Sequence, residues 1–118
     1  MKQNKREIGR KYEKRAGVFL EHQGFQILEY NFNCRFGEID IIARKDRQLI
    51  FCEVKYRRDE AKGNPLEAVG ARKQQTISKC AMYYLTVRGL LHMDIRFDAI
   101  GILGDKITWV PDAFDYQG

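Results

Sequence analysis

Two short apolar runs, residues 37–43 and 49–55, contain charged residues where a buried strand would have none. Both runs are rich in Ile, Val and Phe, and five polar residues separate them, which predicts two neighbouring strands joined by a tight loop. Asp40, Glu53 and Lys55 lie within the runs. Because charges in a protein core must be paired or must bind a metal, this strand pair is predicted to have a chemical role.

The length of the loop decides how these charges meet, because side chains alternate between the two faces of a strand. A loop of two or four residues places Asp40 opposite Glu53, about 4.5–5.5 Å apart at Cβ. The same register places Glu38 opposite Lys55. A three-residue loop would put Asp40 and Glu53 on opposite faces. In the even register the facing carboxylates repel unless they share a divalent cation, so a metal site is predicted. The other face is predicted to be apolar core and contains Ile39, Ile41, Ile50, Cys52 and Val54.

The same residues resemble a known superfamily. An acidic residue on one strand, followed by Glu-x-Lys on the next, is similar to the pattern of the PD-(D/E)xK nucleases, which include many restriction enzymes and archaeal Holliday-junction resolvases. The chain most resembles the YraN-like family of small bacterial endonuclease-like proteins. The resemblance spans nearly the whole chain and depends on an ordered set: the Glu13 helix, Gly24-Phe25, Asn31, residues 37–40, residues 51–57, Lys73 and residues 96–98.

This resemblance implies a metal-dependent endonuclease with a restriction-endonuclease-like core. Asp40 and Glu53 would hold Mg²⁺ or Mn²⁺, hard ions that prefer oxygen ligands. The backbone carbonyl of Val54 would complete the shell, and Glu13 would be a further ligand. Lys55 would orient or help deprotonate the attacking water. The substrate would be DNA, and the small size favours structure-selective cutting of branched, Holliday-junction-like DNA in repair or recombination.

Basic residues outside this centre are predicted to contact phosphates. The chain has a net charge of +5 and a pI near 9.2, and seven of its first fifteen residues are basic while two are acidic. Such an excess is typical of a solvated helix face or of a surface for a polyanion, and a nearby metal site favours the second. The resemblance adds a lysine of the second helix, as a contact to DNA or to a site carboxylate. The predicted nucleic-acid contacts are Arg10, Lys14, Arg35, Arg57 and Lys73.

Several residues keep two interpretations. Glu13 flanks the apolar stripe of the first helix, a position that suits a solvated glutamate as well as a ligand. Glu38 either touches the metal or pairs with Lys55 across the strands, and a supporting role is favoured. Arg96 and Asp98 share a face of a later strand and are expected to pair with each other.

The remaining pattern predicts an α/β fold in the order α-β-β-β-α-β-β, with a mixed central sheet of about five strands flanked by helices. Asn4 and Gly24 are predicted to delimit the first helix. A strand over residues 25–32 follows it. A second helix is predicted to begin at Asn64, with Pro65 in its first turn.

The predicted ends of the later elements follow from turn residues. Arg88-Gly89 is expected to end the second helix. Gly104-Asp105 suits a two-residue hairpin turn between the last two strands. Pro111 is expected to end the sheet. Residues 56–63 are polar and without periodicity, which predicts a loop beside the site, either mobile or a plain connector.

Length and composition bound the class of protein. The 118 residues are predicted to form one domain, spanning residues 1–118. Cys34, Cys52 and Cys80 are odd in number and lack a Cys-x-x-Cys pair, which indicates reduced thiols in the cytoplasm and argues against zinc. Nothing in the sequence approaches a membrane span, and the basic start lacks the apolar stretch of a signal peptide.

Two other functions stay open at this point. The chain would also suit a nuclease-fold nucleic-acid-binding module with little activity that works through a protein partner. Alternatively, the charges could form a buried ion network in a protein–protein interaction domain. A homodimer is also open, because enzymes that cut two strands symmetrically act in pairs.

Overall fold

The computed structural model describes residues 4–58 and 69–118. The described chain forms two helices and five strands in the predicted order, which confirms the α/β fold class. The helices are α1 (Lys5–His22) and α2 (Ala71–Val87), and the strands are β1 (Gln26–Cys34), β2 (Gly37–Lys45), β3 (Gln48–Arg57), β4 (Asp94–Leu103) and β5 (Lys106–Phe114).

The five strands form one mixed sheet whose spatial order follows the chain, β1-β2-β3-β4-β5. Strands β3 and β4 are parallel, and the other neighbours are antiparallel. Parallel neighbours need a long crossover, and α2 lies in it. Within the described residues, neither helix is long and apolar enough to cross a membrane.

The helices cover opposite faces of the sheet, as predicted. On one face, Ala16 and Leu20 of α1 pack into an apolar cluster with residues of β2, β3 and β4. On the other, Ile77 and Leu85 of α2 pack into a second cluster around Phe51. Strands buried on both faces carry near-continuous apolar runs, which explains why β3 is buried from Leu49 to Val54.

The predicted ends of α1 are confirmed. The side-chain Oδ1 of Asn4 accepts the backbone N–H of Glu7 at 2.8 Å, which satisfies one of the free donors at the helix start. The helix ends at His22, and Gly24 follows with a φ of 95°.

The prediction of one helix running from Asn64 to Arg88 is wrong. Asn64 lies outside the described residues, but Val69 and Gly70 are not helical, and α2 begins at Ala71. Gly70 is extended, with φ −64° and ψ 154°, and acts as the helix cap. Because glycine disfavours a helix interior by about 1 kcal/mol, the helix begins after Gly70 although the apolar periodicity extends further back. The end at Arg88-Gly89 is confirmed.

The even register of β2 and β3 is confirmed. Lys45 pairs with Gln48 across a two-residue turn, and the pairing continues to Ile41 and Cys52. The prediction that side chains alternate strictly between the two faces along β2, however, is wrong. Ile39 packs in the α2-side cluster, whereas Ile41 packs in the α1-side cluster, so the two do not share the predicted apolar face.

The break in alternation falls at Asp40. Ile39 and Ile42 belong to the same cluster although they are three positions apart, an odd spacing that strict alternation would put on opposite faces, so one residue between them departs from the pleat. Just beyond the Ile41–Cys52 pair, where the ladder of β2 and β3 ends, the Oδ2 atom of Asp40 accepts the backbone N–H of Val54 at 2.8 Å. A side chain therefore takes a hydrogen bond that a regular ladder would give to the backbone.

The last two strands differ from the prediction at one end. The hairpin turn at Gly104-Asp105 is confirmed, because Leu103 pairs with Lys106. The prediction that Pro111 ends the sheet is wrong, since β5 continues to Phe114 with a register shift. Proline is tolerated because β5 is an edge strand with one side free of ladder partners.

A buried ion pair explains the shape of this edge. Asp98 is fully buried and accepts hydrogen bonds from Arg96 at 2.8 and 2.9 Å, which confirms the predicted pair. It also accepts the indole N–H of Trp109 at 2.9 Å and the backbone N–H of Asp112 at 3.0 Å. Asp112 has a φ of 55°, so the irregularity in β5 is held by Asp98.

Asp98→Asn is expected to lower the free energy of unfolding by about 3 kcal/mol, because it removes a buried charge partner and turns an amide N–H₂ toward existing donors. Urea unfolding measures the change. Asp94→Asn, at the exposed start of the same strand, serves as the control and should change stability by less than about 0.5 kcal/mol. Equal effects from the two variants would contradict the structural role of Asp98.

Candidate metal centre

Three acidic side chains meet where α1 crosses the start of β2. One carboxylate oxygen from each of Glu13, Glu38 and Asp40 lies within 4.8 Å of the others. Helix α1 lies close to the sheet one turn further on, since a Cβ on Gly17 would overlap the phenol of Tyr30. This close contact brings Glu13 to β2.

Glu13 is held in place by β1. The Nδ2 atom of Asn31 donates a hydrogen bond to its Oε1 at 2.8 Å. Asn31 has a φ of 53°, a conformation that asparagine tolerates better than most residues. Of the two interpretations of Glu13, solvated or facing the site, the described contacts favour the second.

Glu53 lies outside this cluster and on the α2 side of β3. It is 8% exposed, and its Oε1 lies 3.7 Å from Nζ of Lys73 on α2. Among the described residues, its Oε2 is buried and lacks a hydrogen-bond partner. Glu53 was predicted to face Asp40, and the negative charge of Asp40 does raise the pKa of Glu53. The carboxylate oxygens that are grouped with Asp40, however, belong to Glu13 and Glu38.

Burial opposes ionisation of the strand carboxylates. Burial raises the pKa of Glu53 to about 7, the negative charge of Asp40 adds to the rise, and Lys73 and Lys55 oppose it. Burial also raises the pKa of Asp40, and the hydrogen bond from Val54 partly offsets this. For both carboxylates, the effect of burial outweighs the nearby positive charge, so each one ionises at a higher pH than usual.

The helix carboxylate has the same property. Burial raises the pKa of Glu13 to about 7, against the hydrogen bond from Asn31 and together with the nearby charges of Asp40 and Glu38. A bound divalent cation would reverse this balance, because positive charge favours the ionised form.

In the described part of the chain, the grouped ligand atoms are all carboxylate oxygens, and one buried oxygen of Glu53 lacks a hydrogen-bond partner there. Hard cations such as Mg²⁺ and Mn²⁺ take this donor set. The residues present therefore fit such an ion. The role of the Val54 carbonyl as a ligand stays a prediction.

The predicted lysines lie beside the strand carboxylates. Lys73 contacts Glu53, so of its two predicted partners, DNA or a site carboxylate, the structure has the carboxylate. Lys55 is half-buried on β3, and its charge lowers the pKa of Glu53.

The predicted arginines and Lys14 fall into two groups. Arg10 lines a cleft of about 440 Å³ with Glu13 and Glu38. Arg57 lines a second cleft, of about 820 Å³, together with Lys55. Lys14 and Arg35 lie outside the described linings of both clefts; the Lys14 ammonium is over the ring of Tyr30, 5.3 Å from its centroid, and the Arg35 guanidinium is 4.8 Å from that of Phe36.

Some lining residues were missed by sequence reasoning. Lys5, Arg6 and Asn33 join Arg10 in the smaller cleft, and Asn31 positions Glu13 there. Helical spacing could have found Arg6, because residues 6, 10 and 13 share one face of α1. Asn31 belongs to the set of residues that carries the family resemblance, but its contact with Glu13 depends on a left-handed backbone that the sequence does not specify.

Comparison with known proteins places this site in a family. A family model described as "Uncharacterised protein family UPF0102" matches residues 12–102, which include every predicted metal ligand. The chain belongs to this family, also called the YraN family. The resemblance to YraN-like proteins predicted from the sequence is therefore confirmed.

Relatives match along most of their length. A UPF0102 protein of Lachnoclostridium phytofermentans is 44% identical over 98% of this chain and 98% of its own. One of Fusobacterium nucleatum is 44% identical over 91% and 90%. One of Clostridium perfringens is 48% identical over 86% and 84%. The names of these three relatives state their family and do not state an activity.

Glu53→Gln in the metal-free UPF0102 protein is expected to raise the free energy of unfolding at pH 8 by about 2 kcal/mol and to change it little at pH 5. The pKa of Glu53 is about 7 in the folded protein against 4.5 ordinarily. The folded state therefore binds more protons, and stability falls as pH rises from 4.5 through 7. Urea unfolding in EDTA measures the difference.

The matched control is Glu21→Gln, at an exposed position of α1. It should change stability by less than about 0.5 kcal/mol at either pH. A change of the same size at pH 5 and pH 8 for Glu53→Gln would mean that its ionisation does not destabilise the fold.

Proposed function

We propose that this UPF0102 protein is a metal-dependent endonuclease of DNA that acts in the cytoplasm, in repair or recombination, on branched, Holliday-junction-like substrates. The observation that supports the proposal is the meeting of Glu13, Glu38 and Asp40, together with a buried oxygen of Glu53 that lacks a hydrogen-bond partner among the described residues. Membership of the YraN family and the α-β-β-β-α-β-β order agree with it.

The metal would be held by oxygen atoms of Asp40, Glu53 and Glu13 with the Val54 carbonyl. When bound, Mg²⁺ or Mn²⁺ lowers the pKa of a coordinated water and polarises a phosphate oxygen. Lys55 orients the attacking water and stabilises negative charge that develops on the phosphate. Glu38, whose carboxylate lies close to those of Glu13 and Asp40, has a supporting role.

The flanking clefts suit the phosphates on either side of the cut. Lys5, Arg6 and Arg10 line the smaller cleft beside Glu13, and Lys55, Arg57 and Arg58 line the larger one. Contacts to phosphates position a nucleic acid without reading its bases. Binding that depends on backbone charge should weaken steeply as salt rises. This arrangement favours selection by DNA structure over selection by sequence.

Lys55→Ala is expected to abolish metal-dependent cutting, because it removes the group that orients the water. A panel of Holliday junction, flap, linear duplex and single strand is incubated in Mg²⁺ and in Mn²⁺ with each protein. Arg47→Ala, in the exposed turn at the opposite end of β3, is the control and should cut like the wild type.

Equal cutting by the wild type and Lys55→Ala would indicate a contaminating nuclease and contradict the proposal. No cutting by any variant would favour a nucleic-acid-binding module that works through a protein partner.

Asp40→Asn is expected to remove stabilisation by Mn²⁺ and to raise the melting temperature in EDTA by a few degrees. The amide oxygen can still accept the Val54 N–H, while the buried charge and its repulsion are gone. Melting curves with EDTA and with Mn²⁺ test this. Asp46→Asn, in the exposed turn, should keep the full metal response.

A different pattern would favour the buried ion network. In that case Asp40→Asn would lower the melting temperature strongly, and Mn²⁺ would hardly change the melting of the wild type.

A further inference from the structure

The turn between β1 and β2 presents an aromatic surface beside the acidic cluster. Among the exposed large apolar side chains of residues 4–58 and 69–118, three are aromatic, and two of them, Phe36 and Tyr83, adjoin. Phe36 is 37% exposed and Tyr83 is 40% exposed, and their ring centroids are 6.5 Å apart. Phe32 lies behind them, 6.3 Å from Tyr83.

This surface is built rigidly. Gly37 follows Phe36 with a φ of 148°, and a Cβ there would overlap the side chain of Thr76 on α2. The Sγ atoms of Cys34 and Cys80 lie 3.2 Å apart. The turn is therefore fixed against α2, so the two rings are held before any ligand arrives, which lowers the entropic cost of binding.

The surroundings carry positive charge. The Arg35 guanidinium lies 4.8 Å from the centroid of Phe36. Helix α2 contains Arg72, Lys73 and Lys79 and has no acidic residue. Lys79 is exposed one turn before Tyr83. Exposed aromatic rings bordered by cations are typical of surfaces that stack nucleobases and attract the phosphates between them.

The surface lies within reach of the proposed metal centre. Phe36 precedes Glu38 by two residues of extended chain, about 7 Å. Tyr83 follows Lys73, which contacts Glu53, by ten helical residues, about 15 Å. A strand with a phosphate at the carboxylates would therefore have bases a few nucleotides away at the two rings.

We propose that Phe36 and Tyr83 form a stacking platform for unpaired nucleobases, with Arg35 and Lys79 contacting the adjoining phosphates. The inference rests on the proposed function, which identifies the polymer as DNA. It adds the substrate class, which is branched DNA with a single-stranded segment next to the cut. A fully paired duplex keeps its bases stacked inside the helix and cannot use the platform.

The test compares two oligonucleotides with equal charge and different bases. Labelled twelve-residue oligothymidine and an abasic strand of the same length are titrated with protein in EDTA, and fluorescence anisotropy reports binding. The wild type should bind oligothymidine about tenfold more tightly than the abasic strand, because only the first offers stacking. Phe36→Ala and Tyr83→Ala should each weaken oligothymidine binding about tenfold and change abasic binding less than about twofold.

Matched variants keep the result interpretable. Phe36→Tyr and Tyr83→Phe retain the rings and should bind like the wild type. Met82→Ala shortens an exposed apolar residue next to Tyr83 and should also leave binding unchanged. Melting curves of all variants verify folding. If an alanine variant does not fold, the difference between oligothymidine and the abasic strand in the wild type still decides the inference.

Equal affinity of the wild type for the two oligonucleotides would overturn the platform. So would unchanged oligothymidine binding by folded alanine variants, which would leave the aromatic surface to a protein partner. Stacking without any metal-dependent cutting would keep the platform and overturn the proposed nuclease. Metal-dependent cutting together with equal binding of oligothymidine and the abasic strand would support the proposed nuclease and overturn the platform.

Discussion

The site depends on the half-buried carboxylate of Asp40 at the point where β2 and β3 stop pairing as a regular ladder. Its Oδ2 accepts the backbone N–H of Val54 at 2.8 Å, so one acidic side chain both closes the strand pair and faces Glu13. Burial opposes the charge of this carboxylate, while the hydrogen bond favours it. The local irregularity of β2 and the acidic cluster are therefore one structural feature.

Short-range chemistry in the sequence predicted much of the fold. The Asn4 cap, the Gly24 and Gly89 ends and the two hairpin turns were all predictable, because each depends on a few neighbouring residues. The extension of β5 past Pro111 was not, because it depends on hydrogen bonds from β5 to Asp98, fourteen residues before Asp112. The start of α2 was missed because apolar periodicity continues through Gly70 while the helix does not.

The sequence predicted which residues belong to the site better than it predicted which of them lie close together. Of the two registers that the sequence left open, the two-residue turn fixes the even one, but the ladder of β2 and β3 stops at Ile41 and Cys52, just before Asp40 and Glu53. The side on which Asp40 lies could not be predicted, because alternation assumes a regular pleat and this strand breaks it. Asp40 is therefore grouped with Glu13 of α1 and with Glu38, while Glu53 contacts Lys73 of α2. Which helix supplies each neighbour is tertiary information.

The pairing of strands also has a consequence for the order of folding. The β2–β3 hairpin closes over two residues, whereas β3 and β4 join residues as far apart as Gln48 and Asp94. Local pairs form before distant ones, because closing a long loop costs more chain entropy. Asp40 and Glu53 are therefore brought onto neighbouring strands before β4 docks and before Lys73, in the crossover, reaches its place. Lys55, on the same strand as Glu53, is near that carboxylate from the start, whereas Lys73 reaches it only when α2 docks.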